Sequence, residues 1–133
     1  MPDSKAVTVA LRHIEAWSHR RWEETRQMLS PRVHAWVTNL QPGLARQAEL
    51  TGAEDYMLRK EKAANLIEPG SVRVISTAGD ERHALVLVSF LIGLGPEGAP
   101  VTMVRSCLYA LDDDDRILEE RDQFIVLPAG ASD

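Results

Sequence analysis

The residues best suited to chemistry in this sequence are acids near its end, in the stretch "LDDDDRILEERDQFIVLP" at 111–128. Four consecutive aspartates come first, and a segment with strand-like alternation follows. Alternate side chains of a strand point to opposite faces, which places four residues on one face: Leu118, Glu120, Asp122 and Phe124. A carboxyl group on an apolar face suits general acid–base chemistry, because burial disfavours its charged form and raises its pKa toward neutral pH.

Two motifs resemble ligand-binding loops but are predicted to be turns. The aspartate run at 112–115 has the acidity of a calcium-binding loop without its ligand spacing or its closing glutamate, so it is predicted to be a solvated hairpin turn. The segment "GLGPEG" at 93–98 matches the glycine pattern of dinucleotide-binding loops. That pattern requires a helix to begin within it, whereas Pro96 and a following strand predict a hairpin loop here.

The metal-ligating residue types are scattered along the chain. There are four histidines, namely His13, His19, His34 and His83. No two of them have the spacing that would place both imidazoles on one helical turn, and Cys107 is the single cysteine, so neither a metal site nor an intrachain disulfide is predicted. A single cysteine fits a reducing cytoplasm.

Composition predicts one globular domain spanning residues 1–133. The chain is 44% hydrophobic and 26% charged, which is sufficient for a core and typical of a globular domain. The net charge of −5 disfavours binding to nucleic acid or to an anionic membrane surface. No apolar run is long enough to span a membrane, and the polar N-terminus does not read as a signal peptide, so a cytoplasmic location is expected.

Three helices are predicted in the first half of the chain. Ser4 can cap a first helix, whose apolar residues recur at three- and four-residue spacing: Val7, Ala10, Leu11, Ile14 and Trp17. A short second helix directs Trp22, Thr25 and Leu29 inward and ends before Pro31, because proline disfavours a helical residue before it. The composition of 41–50 predicts a loop, and Thr51 with Glu54 predicts a capping box for the third helix.

Strands are predicted to dominate the second half. The segment 32–39 alternates as a strand, with Val33, Ala35 and Val37 on one face and His34 and Trp36 on the other. Four further strands are predicted near 71–77, 84–94, 101–111 and 117–127. The short turns between the later strands require antiparallel pairing. The predicted fold class is α+β, a curved antiparallel sheet with three N-terminal helices on one face.

This order of elements resembles the nuclear-transport-factor-two-like superfamily. Within it, the chain is most similar to the SnoaL-like group of polyketide cyclases, with limonene-epoxide hydrolases and ketosteroid isomerases as relatives. The resemblance covers residues 4–127 and depends on the order and spacing of three stretches: "RRWEETRQMLSPRVHAWV", "LTGAEDYMLRK" and "LYALDDDDRILEERDQF".

The resemblance implies a cone-shaped sheet around an apolar pocket that accepts a hydrophobic small molecule, and homodimers formed through the outer sheet face. It also implies that Asp122 faces the pocket as a general acid/base. Arg105 shares a strand face with Cys107 and would pair with Asp122 if that face is turned inward, which the sequence leaves open. The candidate catalytic residues are Asp122, Arg105 and His34, and the candidate substrate-binding residues are Trp36, Tyr56, Met103, Tyr109 and Phe124.

Each candidate also has a structural interpretation: Asp122 as an acid paired with Arg105, His34 as a packed strand residue, and Trp36 and Tyr109 as core or sheet-packing residues. The strand at 84–92, "ALVLVSFLI", carries no acid, so the second carboxylate of the similar epoxide hydrolases has no counterpart there. A cyclase-type mechanism needs one acid/base, which Asp122 would supply.

Two functions follow from the resemblance. The first is an enzyme that acts on a polyketide- or terpenoid-like substrate by proton transfer, in a cyclisation, isomerisation or dehydration without a cofactor. The second is a non-catalytic ligand-binding or accessory dimeric module of the same fold. Fold alone does not choose between them.

Overall fold

The computed structural model describes residues 3–40 and 46–127. Within these residues there are three α-helices, α1 (Lys5–Ser18), α2 (Trp22–Gln27) and α3 (Ala53–Ala64). The same residues form six strands, β1 (Leu29–Asn39), β2 (Arg46–Thr51), β3 (Arg73–Gly79), β4 (His83–Ile92), β5 (Val101–Leu111) and β6 (Ile117–Val126). A short 3₁₀ turn, Pro96–Gly98, lies between β4 and β5. The glycine-rich motif is therefore a turn between strands, as predicted.

The strands form one curved sheet in the order β2-β1-β6-β5-β4-β3. All neighbouring strands are antiparallel except β1 and β6, which run parallel with Val37 beside Asp122. The predicted α+β class is confirmed, but the sheet is mixed rather than antiparallel. Short connections force antiparallel pairing only between strands that follow each other along the chain, and that condition does not apply to β1 and β6.

The predicted loop at 41–50 is wrong in its second half. Residues from Arg46 onward belong to β2, which pairs with β1, while 41–45 lie outside the described residues. The predicted capping box is also wrong, because Thr51 ends β2 and Gly52 (φ 86°) occupies the N-cap of α3. Instead the Asp55 carboxylate accepts the Thr51 N–H at 3.1 Å and ties the strand to the helix.

The second helix is shorter than predicted. It ends at Gln27, and Leu29, expected on its inner face, is buried at the start of β1. Pro31 lies within this strand, where the pairing with β6 is irregular between Leu29 and His34. Proline cannot donate a ladder hydrogen bond, so an irregular stretch of strand accommodates it.

The core lies between α1 and the inner face of the sheet. Ser4 caps α1, and its side chain accepts the Val7 N–H at 3.4 Å. The helix buries Ala10, Ile14 and Trp17, and Trp17 meets Phe90 of β4 edge to face with ring centroids 6.2 Å apart. Leu11, predicted on this stripe, is only partly buried, whereas the face also holds a histidine, His13, with no exposed surface.

The outer face of the sheet is open and partly apolar. It exposes Leu85 of β4, Leu108 of β5 and Ile125 of β6, with relative accessibilities of 38% to 46%. None of the helices formed by residues 3–40 and 46–127 has the length and apolar character needed to cross a bilayer.

The substitution Gly79→Ala is expected to destabilise the fold. A methyl group at this end of β3 would lie 2.4 Å from the His83 carbonyl oxygen and 2.9 Å from a methyl of Val7, so the β3–β4 hairpin or α1 must shift. Overpacking of this kind costs about 1–3 kcal/mol, which urea unfolding would measure. Ser76→Ala, in the exposed part of β3, should change the free energy of unfolding by no more than about 0.5 kcal/mol. An equal effect of the two substitutions would contradict the close packing at Gly79.

Candidate functional site

A cavity of about 290 Å³ lies between α3 and the inner face of the sheet. Its walls are mainly apolar and include Leu50, Ile67, Phe90, Ile92, Met103 and Phe124. Its polar lining consists of Tyr56, Arg59, Lys60, Arg105, Glu120 and Asp122. Helix α3 contributes its polar members at positions 56, 59 and 60, because residues three and four apart share one helical face.

The two acids of this lining, Glu120 and Asp122, come from β6. Each has a relative accessibility of 1%, and both lie on the inner face, as the alternation of the sequence predicts. The Arg105 guanidinium donates to Asp122 Oδ2 at 2.7 Å from the neighbouring strand β5. Phe124 is paired directly with Arg105, so the arginine reaches diagonally across the ladder to the aspartate.

Glu120 has its partners on helix α3. The Tyr56 hydroxyl donates to Glu120 Oε1 at 2.5 Å, and Lys60 Nζ lies 3.8 Å from Glu120 Oε2. The lysine side chain is only 10% exposed and lies over the rings of Trp17 and Tyr56. Two buried acids thus meet two largely buried cations, which matches their charges in a site that water barely reaches.

The surroundings drive the two carboxyl groups toward opposite protonation states. Burial, helped by the charge of Glu120, raises the pKa of Asp122 to about 8 despite the opposing charge of Arg105. Burial also acts to raise the pKa of Glu120, but Lys60 and the hydrogen bond with Asp122 outweigh it and hold that pKa below its ordinary value. These directions favour a pair that holds one proton near neutral pH, with Asp122 as the more basic member.

Two polar atoms at the floor of the cavity lack protein partners. Among residues 3–40 and 46–127, Asp122 Oδ1 meets no donor and Arg105 Nε meets no acceptor, although both are buried.

Behind Glu120, a chain of buried polar groups extends away from the cavity. The Tyr56 hydroxyl lies 3.2 Å from His13 Nε2, and Tyr109 Oη lies 3.4 Å from His13 Nδ1. Burial lowers the pKa of His13 to about 4, so its imidazole is neutral at physiological pH. Burial likewise raises the pKa of both tyrosine hydroxyls well above the ordinary value, which keeps them protonated.

The structure brings five of the predicted site residues to the cavity, namely Arg105, Asp122, Tyr56, Met103 and Phe124. It also shows which face of β5 is turned inward, since Met103, Cys107 and Tyr109 are buried. Tyr109 does not line the cavity and lies beneath α1 against His13, with ring centroids 5.6 Å apart.

His34 and Trp36 lie on the outer face of β1, away from the cavity. Their rings stack at 4.2 Å, and the Arg121 guanidinium lies 4.0 Å from the centre of the Trp36 ring. The physical reason is the strand period, because the burial of Val33 and Ala35 turns the even-numbered residues outward. A catalytic role for His34 and a substrate contact for Trp36 therefore have no geometric support.

Glu120, His13 and Lys60 were not predicted as site residues. The sequence nevertheless contains a signal for each of them. Glu120 shares the strand face of Asp122 and could have been paired with it on that ground. His13 follows Ala10 by three residues and precedes Trp17 by four, which places a polar side chain in the buried stripe of α1. Lys60 follows Tyr56 by one helical turn. In the described part of the chain, no three or more His, Cys, Asp or Glu side chains are grouped as ligands for a metal ion.

No family model matches the sequence, and no match was found among the curated proteins. Similarity does appear among solved structures. An epoxide hydrolase of the limonene-epoxide-hydrolase type from Mycobacterium tuberculosis has a TM-score of 0.68 at 17% identity, covering 92% of this chain and 85% of that one. A nuclear-transport-factor-two-like protein from Burkholderia xenovorans LB400 has a TM-score of 0.70 at 8% identity, covering 90% and 88%.

A third solved structure, a provisionally assigned SnoaL-like polyketide cyclase from Shewanella denitrificans OS-217, has a TM-score of 0.69 at 8% identity, with coverage of 90% and 89%. The alignments span most of every chain, and identities this low establish the fold alone. The resemblance drawn from the sequence is thereby confirmed at the level of architecture. The chain has the fold of the nuclear-transport-factor-two-like superfamily.

Proposed function

We propose that the protein is a cofactor-independent enzyme that rearranges a small hydrophobic molecule by proton transfer, with Asp122 as the acid/base. One observation carries the proposal: Asp122 is a buried carboxyl group in an apolar cavity, anchored through one oxygen by Arg105 and without a protein donor, among the described residues, at the other. A carboxyl group of this kind is held in position, has a pKa near the working pH and has an oxygen that a ligand can contact.

The arrangement suits a cycle in which the acid gives and recovers one proton. Asp122, protonated near neutral pH, donates its proton to a carbonyl or leaving hydroxyl oxygen of the substrate. The resulting carboxylate is stabilised by the Arg105 guanidinium and then removes a proton from a neighbouring carbon of the substrate. Such a cycle balances for an isomerisation or cyclisation, and for a dehydration in which the protonated hydroxyl leaves as water.

The cavity limits the size of the substrate. Its volume of about 290 Å³ corresponds to roughly ten water molecules and lies at the small end of ligand pockets. We infer a molecule of one or two rings with an apolar body and one polar group at the floor, where Arg105 and Asp122 lie. A terpenoid or a short polyketide meets this description.

The non-catalytic alternative uses the same cavity. In a ligand carrier or an accessory module, the pairing of Asp122 with Arg105 would only stabilise the fold and hold a polar group of the ligand. The polar atoms without protein partners serve either role, so turnover decides between them.

Two further proposals concern assembly and location. A second copy of the chain is the proposed cover for the outer sheet face, which exposes Leu85, Leu108 and Ile125. The proposed cytoplasmic location rests on Cys107, a free and buried thiol.

The stability of the protein should fall as the pH rises from 6.5 to 8. The folded pKa of Asp122 is about 8 against an ordinary value of 3.8, so in this interval the folded state holds a proton that the unfolded state has released. The fall has an upper limit of about 1.4 kcal/mol per pH unit. The lowered pKa of His13 has the opposite effect, which is largest below its ordinary value of 6.5 and fades within about one pH unit above it.

Chemical denaturation at several pH values would measure this fall, and Asp122→Asn should abolish it. The control is Asp113→Asn in the exposed turn, where the aspartate side chain is 91% accessible. If wild type and Asp122→Asn respond equally to pH, Asp122 is ionised in the folded protein and the proposed acid is absent.

Asp122→Asn should also lower turnover by at least about 100-fold, because it removes the proton donor while keeping the shape of the side chain. A suitable assay follows exchange of carbon-bound hydrogen next to the carbonyl of one- and two-ring ketones in D₂O by ¹H NMR, alongside product analysis for epoxides and hydroxyketones. Asp113→Asn should retain wild-type rates. Equal rates in the Asp122 variant would eliminate Asp122 as the acid/base, whereas ligand binding without any turnover across the panel would favour the non-catalytic module.

Filling the cavity from α3 should prevent ligand binding without unfolding the protein. Ala63 lines the cavity, so Ala63→Phe places a ring in it, whereas Lys62→Phe adds the same ring on the exposed side of the helix. We expect Ala63→Phe to lose at least about tenfold in affinity for one-ring terpenoids in saturation-transfer NMR, a loss of about 1.4 kcal/mol, and Lys62→Phe to bind as wild type. Undiminished binding by Ala63→Phe would place the ligand elsewhere.

A further inference from the structure

Three fully buried side chains, one in the cavity wall and two behind it, are not used by the proposed proton transfer. They are Tyr109 of β5, His13 of α1 and Tyr56 of α3, which we call the tyrosine–histidine chain; each has a relative accessibility of 0% or 1%. They connect elements far apart in sequence and end on Glu120. A buried imidazole is costly unless its nitrogens find partners, and here both nitrogens do.

The hydrogen bonds in the tyrosine–histidine chain can run in one direction only. A carboxylate accepts and cannot donate, so the Tyr56 hydroxyl uses its single proton on Glu120 Oε1 at 2.5 Å. The Tyr56 oxygen must then accept from His13 Nε2, 3.2 Å away. A neutral imidazole carries one N–H, so Nδ1 is bare and accepts from the Tyr109 hydroxyl at 3.4 Å. Every donor in the chain therefore points toward Glu120.

We propose that His13 is a positioning residue which, through Tyr56, keeps Glu120 as the ionised acceptor of the acid pair and so leaves the shared proton on Asp122. The proposal deepens the function proposed above, since it explains why the proton lies on the carboxyl group that also contacts Arg105. If His13 accepted a hydrogen bond from the Tyr56 hydroxyl, the single proton of that hydroxyl would not be available to Glu120.

The two cations near the pair act on different members of it. Lys60 of α3 lies 3.8 Å from Glu120, and Arg105 of β5 lies 2.7 Å from Asp122, so each acid has one cation. The closer cation belongs to Asp122 and would by itself make Asp122 the ionised member. The Tyr56 hydroxyl, donated at 2.5 Å, is the additional contact that favours an ionised Glu120.

The test locates the proton by ¹³C NMR of protein labelled at the side-chain carboxyl carbons, titrated from pH 5 to 9, and it needs no substrate. In the wild type, Asp122 should be protonated at pH 6.5 and Glu120 ionised. In Tyr56→Phe, the midpoint of the Asp122 signal should fall by at least about one pH unit, and the Glu120 signal, unchanged between pH 5 and 9 in the wild type, should begin to titrate at the acidic end of this range.

His13 is tested with a matched pair of variants. His13→Leu removes the donor to Tyr56 and should shift the two signals in the same direction as Tyr56→Phe. His13→Gln keeps an N–H donor near the Nε2 position and should restore the wild-type titration. A merely structural role for His13 would lower the thermal stability of His13→Leu and leave the carboxyl midpoints unchanged, and that result would overturn the proposal.

A measurement on the wild type keeps the proposal testable even if these variants do not fold. The ¹⁵N signals of His13 at pH 6.5 should show a neutral imidazole protonated at Nε2. Protonation at Nδ1, or an imidazolium, would contradict the inferred direction of the hydrogen bonds in the tyrosine–histidine chain. An Asp122→Asn variant with full activity, together with the expected ¹³C and ¹⁵N signals, would refute the proposed acid while leaving the positioning role intact.

Discussion

Two carboxyl groups removed from water set the main constraint on this structure. Glu120 and Asp122 follow each other on one face of β6, and a buried charge is tolerated only when opposite charge and hydrogen bonds surround it. Strand β5 supplies Arg105, helix α3 supplies Lys60 and Tyr56, and α1 supports Tyr56 through a histidine. Both helices must therefore keep a fixed distance from one central strand, and the cavity is the space that this distance leaves beside the acids.

The parallel pairing of β1 and β6 is what allows this arrangement. It places β6 between β1 and β5 in the sheet, so neither edge of the strand that carries the acids is open to water. Val37 of β1 lies beside Asp122, and Cys107 of β5 lies opposite it. Apolar neighbours on both sides desolvate the aspartate, and desolvation is the largest cause of its raised pKa. The order of strands in the sheet thus contributes to the raised pKa of Asp122.

Local patterns predicted much of this structure. The alternation of β6 correctly places Glu120 and Asp122 on one face, and the pairing of Arg105 with Asp122 follows once β5 is turned inward. The period of β1 likewise implies that His34 and Trp36 point away from a cavity lined by Val37. His34 and Trp36 were predicted as site residues from the family resemblance, against the two-residue period of the strand.

The remaining features depend on contacts that no local pattern encodes. His13 and Tyr109 are 96 residues apart, and Tyr56 and Glu120 are 64 apart, so their meeting follows from how α1 and α3 pack on the sheet. The parallel neighbour of β6 is equally invisible, because strands that are not consecutive leave no turn to indicate their pairing. Strand β2 follows a glycine- and proline-containing stretch whose composition predicts a loop, and its existence depends on pairing with β1.

The polar atoms without protein partners bear on the choice between a ligand site and a structural ion network. A network that served stability alone would satisfy every buried donor and acceptor, because a buried group without a partner costs about 1–3 kcal/mol. Here the tyrosine–histidine chain is satisfied, with both His13 nitrogens and both tyrosine hydroxyls engaged, although Trp17 Nε1 and His34 Nε2, away from the cavity lining, also lack hydrogen-bond partners among the described residues. Within residues 3–40 and 46–127, the atoms left without partners include Asp122 Oδ1 and Arg105 Nε, whose side chains line the cavity floor. Free hydrogen-bonding capacity thus lies at the cavity floor, on the two side chains that the proposed proton transfer would use.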